Sequence, residues 1–275
     1  MKRYCLVIVA LLGTLLMVAC GGEKKSLAGY WEGFEPSSVY DNVDGAEAHF
    51  QEWVALLAEA DTTAQKSAIE EFVTKVCSDE VCFYIYTEWA MGHLYGLWSP
   101  VRNEFAFGHL LRTLMANVEV VQDNDREFQR LLDIVGHNRV GEPVEDLRLS
   151  DVEGKESRLS DYRGERVLLL LADITCPTCM DIFTTIEAHK GIMESALRGE
   201  VTFVTVAVGQ IPESIGEFAA RHKGSAWNVH CALRSDLEGA YFDTNASPAL
   251  FLIDREGRVE VAMTRDVEEI AEAIL

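Results

Sequence analysis

The sequence is poor in positive charge. It carries 24 Lys and Arg against 45 Asp and Glu, a net charge of −21 over 275 residues. A surface so acidic repels nucleic-acid phosphates and anionic lipid headgroups, so neither is expected as a partner, and solubility is the plain consequence. Regular histidine spacing is missing too. The 7 histidines form no HExxH or comparable pattern, so no metal is expected. Haem attachment needs a histidine after the second cysteine of a CxxC, and Met180 follows Cys176-Pro177-Thr178-Cys179. No internal repeat is found. The apolar stretch Leu6 to Ala19 is too short to span a bilayer comfortably and suits the core of a signal peptide. With 48% hydrophobic and 25% charged residues the chain is globular rather than disordered, and its length suits two domains.

What is present begins with a targeting segment, residues 1–19. Lys2 and Arg3 precede the apolar stretch, which ends in Met17-Val18-Ala19-Cys20. This resembles a bacterial lipobox, with Met17 where Leu is usual. The resemblance implies cleavage before Cys20 and lipidation of that residue; ordinary secretion with a free Cys20 thiol is the alternative. Acyl chains would anchor the protein to a membrane, so the expected location is the cell envelope, lipid-anchored and facing the periplasm. Thiols are oxidised there. Cys5 leaves with the signal, and Cys77, Cys82, Cys176, Cys179 and Cys231 remain. Cys77 and Cys82 lie between two expected helices, and a structural disulfide across that turn is expected, with free core thiols as the alternative. Cys231, beside His230, is expected to be a buried small hydrophobe.

Residues 20–40 show no clear period and are expected to be a tether. From 41 to 138 the pattern is helical. Phe50, Trp53, Val54 and Leu57 share one face, Asp61 is a plausible cap for the helix containing Ile69, Phe72 and Val73, and Val81 to Leu97 reads as a buried helix that Ser99-Pro100 breaks. This predicts an all-α domain of about five helices. Its aromatic run (Phe83, Tyr84, Tyr86, Trp89, Tyr95, Trp98) reads as helical core, part of it a face for docking the second domain or a client. From 139 to 275 the texture changes to strand and helix. Val167–Ala172 and Val201–Val208 read as buried strands, 177–197 and 212–222 as helices, and 249–253 with 258–263 as a hairpin before a last helix. The expected fold is α/β, a mixed central sheet with helices on both faces.

The CxxC follows a buried strand and opens a helix. There the unpaired N–H groups and the helix dipole favour a thiolate at Cys176, Pro177 suits the first helical position, and Cys179 lies one turn on, within disulfide reach. Cys176 is therefore the expected attacking thiolate and Cys179 the resolving one. A zinc site would need two further ligands, which Cys77 and Cys82 could supply only if the helical half folded over the CxxC. A peroxiredoxin would need Thr and Pro where Asp173 and Leu169 stand.

The CxxC, together with Gly141-Glu142-Pro143-Val144-Glu145-Asp146-Leu147, Tyr241 and the run Ser247-Pro248-Ala249-Leu250-Phe251-Leu252-Ile253-Asp254-Arg255-Glu256-Gly257, resembles the TlpA/ResA-type thioredoxin-like proteins exported by bacteria. The resemblance covers 141–275. It implies a thioredoxin fold, a cis Pro248 packed against the CxxC, and a Ser247 backbone that pairs with bound peptide. It also implies thiol:disulfide exchange with protein thiols and disulfides, electrons supplied or taken by a thiol partner, and no small-molecule cofactor. The helical half, through Leu97-Trp98-Ser99-Pro100-Val101-Arg102-Asn103-Glu104 and Asn138-Arg139-Val140-Gly141, resembles a domain of unknown function found before thioredoxin domains in lipoproteins of Bacteroides-like bacteria. Two features depart from the family: Thr175 stands where Trp usually precedes the first cysteine, and Asp173 adds a carboxylate expected to modulate the thiol pKa. They favour the competing expectation, a non-catalytic binding lipoprotein that keeps the thioredoxin scaffold.

Overall fold

The computed structural model describes residues 26–117, 125–208, 212–222 and 225–275. Cys5, the targeting segment and the lipidation residue Cys20 lie outside them.

Among the described residues the N-terminal half carries five α-helices: α1 (Val43–Glu59), α2 (Thr62–Val76), α3 (Glu80–Ala90), α4 (Glu104–Met115) and α5 (Asp125–Gly136). Short polar side chains start four of them. Asn42 accepts the N–H of Gly45, Asp61 those of Thr63 and Ala64, Asp79 that of Cys82, and Asn103 that of Ala106. Each satisfies a backbone donor that the first helical turn leaves unmet. The apolar stripe of α1 meets that of α2, with Trp53 stacked on Phe72 at 4.7 Å between ring centroids.

Three expectations are corrected here. Residues 26–40 are not a tether: they form turns and a 3-10 helix, and Trp31 is 0% exposed, ringed by Trp53, Phe72 and Tyr86. Burial of one such ring contributes on the order of 2–3 kcal/mol, enough to hold a segment that has no helical period of its own. The Cys77–Cys82 disulfide is absent, and both are free thiols. Cys77 caps the end of α2, while Cys82 is buried in the first turn of α3 with its sulfur 3.9 Å from the Tyr40 hydroxyl. Third, the helix expected to run to Leu97 ends earlier. A π turn, Met91–Tyr95, follows α3, and Gly96 leaves the helix. A Cβ on Gly96 would fall 2.3 Å from the Gly92 carbonyl oxygen, so this exit depends on glycine. It turns Tyr95 inward, toward the second half of the chain.

That half carries β1 (Arg148–Ser150), β2 (Glu156–Arg158), β3 (Val167–Ala172), β4 (Thr202–Val208), β5 (Trp227–Ala232), β6 (Ala249–Ile253) and β7 (Val259–Thr264). They form one sheet in the order β2-β1-β5-β4-β3-β6-β7. The strands β3, β4 and β5 run parallel, and β6 is antiparallel to β3. Among the described residues five α-helices accompany them: α6 (Pro177–Ala188), α7 (Lys190–Leu197), α8 (Pro212–Arg221), α9 (Arg234–Gly239) and α10 (Val267–Ile274). The single helix expected over 177–197 is two, parted at His189, which ends α6 and caps α7 by accepting the N–H of Ile192. The short α9 has no counterpart in the sequence reading.

Alternate residues of β3 serve two cores. Leu168, Leu170 and Ala172 pack with Phe183 of α6, Phe218 of α8 and Ile270 of α10. Val167, Leu169 and Leu171 face the other side, where the core runs on through Leu237 of α9 and Phe242 into the aromatic core of the helical half. Every residue of β3 is buried, alternately on one face and the other, which is what a continuous aliphatic run encodes for a central strand covered on both sides.

The two halves are joined by polar contacts around that shared core. Tyr95 donates to the buried Asp243 carboxylate at 2.8 Å, and Arg130 of α5 pairs with its other oxygen at 3.1 Å. Arg102 donates to the Met263 carbonyl. Asn138 donates to the Ala240 carbonyl at 2.9 Å, and the ring of His137 stacks on Tyr241 at 3.7 Å. Removing a hydroxyl that donates to a buried carboxylate is expected to cost about 1.5–3 kcal/mol. Tyr95→Phe should therefore lower the urea midpoint of the full chain by a corresponding amount; an unchanged midpoint would show that Asp243 does not hold the halves together.

Candidate active site

Strand β3 lies near the middle of the sheet and ends at Ala172, the last of six buried residues. The chain then makes a tight turn. The Asp173 carboxylate accepts the N–H and the hydroxyl of Thr175, at 2.8 and 2.7 Å, and the Cys176 N–H donates to the Asp173 carbonyl at 3.0 Å. This Asx turn brings Cys176 to the N-cap of α6 in an extended conformation, with Pro177 as the first helical residue.

The two sulfurs then fall in opposite environments. Cys176 is half-buried, and its thiol is held below the ordinary thiol value. The main-chain N–H of Cys179 is the largest cause, with the N–H of Thr178 and the side chains of both residues adding to it against partial burial. These are the donors that a helix leaves unmet at its start, turned onto sulfur. Cys179 is 0% exposed, and burial pushes its thiol up, although the Ser247 hydroxyl and the main-chain N–H of Asp173 act against this. Both cysteines are free thiols, so the site stands in its dithiol form.

The cis Ser247–Pro248 peptide bond lies beside the pair, at the start of β6. The Ser247 hydroxyl oxygen accepts the Asp173 N–H at 3.0 Å and lies 3.4 Å from the Cys179 sulfur. Sequence positions 173, 176, 179, 247 and 248 are thus brought together. The Asp173 carboxylate accepts from Thr175, and the Asp173 main-chain N–H acts on Cys179.

Two residues at this site were missed. Arg265, between β7 and α10, donates to the Ser247 carbonyl at 2.8 Å and to the Pro248 carbonyl at 2.9 Å. The ring of Trp98, from the helical half, lies under its guanidinium at 4.7 Å. The one signal for Arg265 was its isolation, since no other basic residue occurs from Met263 to Leu275. Trp98 belongs to the aromatic run expected to be helical core, part of it a docking face for the second domain; it is 68% exposed and meets that domain at Arg265.

Cys231 stands apart from this site. It is half-buried, pairs across the sheet with Ser150, and its sulfur is 2.9 Å from the Ser150 hydroxyl.

A profile of the AhpC/TSA family matches residues 140–262. The thiol-disulfide oxidoreductase ResA of Geobacillus kaustophilus (strain HTA426) is 30% identical over 140 residues, which cover 49% of this chain and 78% of that protein. ResA of Geobacillus thermodenitrificans (strain NG80-2) is 29% identical over the same shares. Among solved structures, a thioredoxin-like protein from Bacteroides caccae superposes with a TM-score of 0.75 over 90% of each chain, at 17% identity. That likeness is one of fold, and it extends through the helical half as well. The sheet order, the strand–CxxC–helix junction and the sequence identity to ResA agree: the chain belongs to the TlpA/ResA-type thioredoxin-like family of thiol-disulfide oxidoreductases.

Proposed function

We propose that this protein carries out dithiol–disulfide exchange at Cys176 and Cys179, as a lipid-anchored protein of the cell envelope. The observation that carries this reading is the opposed environment of the two sulfurs. The outer one sits on the open N-terminus of α6 and is lowered by its N–H groups, while the inner one is buried one turn on and raised. A pair built this way has one ready nucleophile and one reserve.

In the reduced form the Cys176 thiolate attacks one sulfur of a client disulfide. The client S–S bond breaks as the mixed disulfide forms, and the second client sulfur leaves as a thiolate. Cys179 gives its proton to that leaving thiolate and attacks the Cys176 sulfur. The attacked client sulfur departs as a thiolate and takes a proton from water, so the client is released as a dithiol carrying two electrons given up by the protein, and Cys176–Cys179 is left as a disulfide. The Ser247 hydroxyl stands 3.4 Å from Cys179 and can donate to it as charge develops there. The Ser247 main chain would hold the client strand through its N–H and the remaining lone pair of its carbonyl, which also accepts from Arg265. No small-molecule cofactor enters this scheme; a protein thiol partner restores the dithiol, and the reverse sequence oxidises a client. The envelope location rests on the N-terminal pattern alone, with Cys20 as the lipidated residue and the periplasm as the compartment faced. Among the described residues no helix is long and apolar enough to cross a membrane.

Three outcomes follow. Cys176→Ala is expected to abolish reduction of a protein disulfide such as insulin's, followed by turbidity; equal rates for variant and parent would sink the reading. Cys179→Ala is expected to accumulate mixed disulfides with envelope proteins on non-reducing gels, whereas a thioredoxin fold kept only as a scaffold would accumulate none. Third, alkylation of the reduced chain should titrate below the ordinary thiol value of about 8.5 at Cys176 and above it at Cys179. At neutral pH the label should therefore enter Cys176 first, as peptide mass spectrometry would read.

A further inference from the structure

The segment Leu97–Glu104 was singled out in the sequence without a role. Its hydrogen bonds show what it is built to hold. Ser99 donates to the His93 carbonyl and accepts the N–H of Val101, and Asn103 donates its N–H to the Leu94 carbonyl at 2.8 Å. Arg102 is paired with Glu104 and donates to the Met263 carbonyl. Met263 has a left-handed backbone, φ 44°, in the irregular stretch where the register of β6 and β7 shifts. The segment is thus fixed against the end of β7, two residues before Arg265, and Trp98 is delivered onto that guanidinium.

Arg265 joins this contact to the redox pair. Its two donors take the carbonyls of Ser247 and Pro248, and the Ser247 hydroxyl lies against Cys179. Burial lowers its pKa, while the charges of the Cys179 and Cys176 sulfurs raise it, so the guanidinium lies within electrostatic range of both. An open cleft of about 610 Å³ runs past it, lined by Trp98, by Ile182 and Thr185 of α6, and by the carboxylates of Asp266, Glu268 and Glu269. Asp173 lies on the turn before Cys176, and Asp181 on α6 itself. Among the described residues that line the cleft, Arg265 is the one cation.

We propose that Arg265, seated on Trp98 of the helical half, is a positioning residue of the redox centre, fixing the Ser247–Pro248 carbonyls and supplying the positive charge that balances the Cys176 thiolate against the surrounding carboxylates. The helical half thereby contributes to the reactivity of a site that lies wholly in the other half of the chain. This rests on the proposed role of Cys176, but it is read by labelling chemistry rather than by turnover.

The test is the pH profile of iodoacetamide labelling at Cys176 in the reduced full chain, followed by mass spectrometry of its peptide. Arg265→Gln is expected to move the midpoint upward by about half a pH unit or more, roughly a threefold loss of labelling on the acid side. Arg265→Lys keeps the charge and should recover most of that shift. Trp98→Ala should move the midpoint in the same direction by less, because a guanidinium without its ring is more hydrated and its field is weaker. Trp98 is exposed, so this variant threatens the fold least, and it decides the matter if Arg265→Gln fails to fold. A midpoint that coincides with the parent for a folded Arg265→Gln, or for Trp98→Ala where Arg265→Gln does not fold, overturns the proposal. Insulin reduction that survives Cys176→Ala would instead overturn the catalytic reading, and the labelling midpoints would still report on Arg265.

Discussion

The carboxylate of Asp243 is the contact on which both halves of the molecule depend. It is 4% exposed, and a charge so placed is costly unless it is paired and fully hydrogen-bonded. Here it accepts the Tyr95 hydroxyl at 2.8 Å, the Arg130 guanidinium at 3.1 Å and the Asn245 N–H at 3.1 Å. Tyr95 and Arg130 belong to the helical half, whereas Asp243 and Asn245 belong to the loop that leads into Ser247-Pro248. Docking of the halves and the course of that loop are therefore one event. Burial, and next the negative charge of Asp243, hold the Tyr95 hydroxyl far above its ordinary pKa, so it stays a neutral donor.

The remaining joints fall on the same stretch of chain. Asn138 and His137 grip Ala240 and Tyr241, Arg102 grips Met263, and Trp98 underlies Arg265. Asn138 and Tyr241 both have positive φ, 51° and 55°, conformations that a side chain adopts only where its surroundings hold it. The Asn138 side chain does so by also accepting the Glu145 N–H at 2.8 Å. From Ala240 to Arg265 the thioredoxin-like half is thus braced by the helical one, and that interval contains Ser247 and Pro248.

Much of the site was legible in the sequence because its chemistry is local. A run of aliphatic residues ending in CxxC, with proline between the cysteines, fixes strand, helix start and sulfur placement within about a dozen positions, and the order of strands and helices does the same for the mixed sheet. The helices were found for the same reason, through the period of Phe50, Trp53 and Leu57 and the cap at Asp61. What escaped detection depends on distant partners. Tyr95 and Asp243 are 148 residues apart, and neither carries a local sign of the other. Residues 26–40 lack a period because Trp31 is held by rings from three other segments. Five-residue spacing put Cys77 and Cys82 near each other along the chain but said nothing of direction, and the turn between them sends Cys82 into the core.

The departure of Thr175 from the family pattern gains a physical account from the same geometry. A tryptophan at that position would have no hydroxyl for the Asp173 carboxylate, which takes both the Thr175 hydroxyl and its N–H. That carboxylate is engaged by Thr175, and the groups that lower the Cys176 thiol are the backbone N–H groups and side chains of Cys179 and Thr178 in the first turn of α6. An aromatic ring is nonetheless tied to the site through Arg265. It is Trp98, it comes from the other half of the chain, and it reaches the site by lying under Arg265 rather than by flanking the cysteine. A local aromatic flank needs only the sequence around the CxxC, whereas one supplied from the helical half needs the docked chain. Whatever loosens the Asp243 network would therefore be felt at the Ser247–Pro248 loop and at Arg265 together, and so at Cys176.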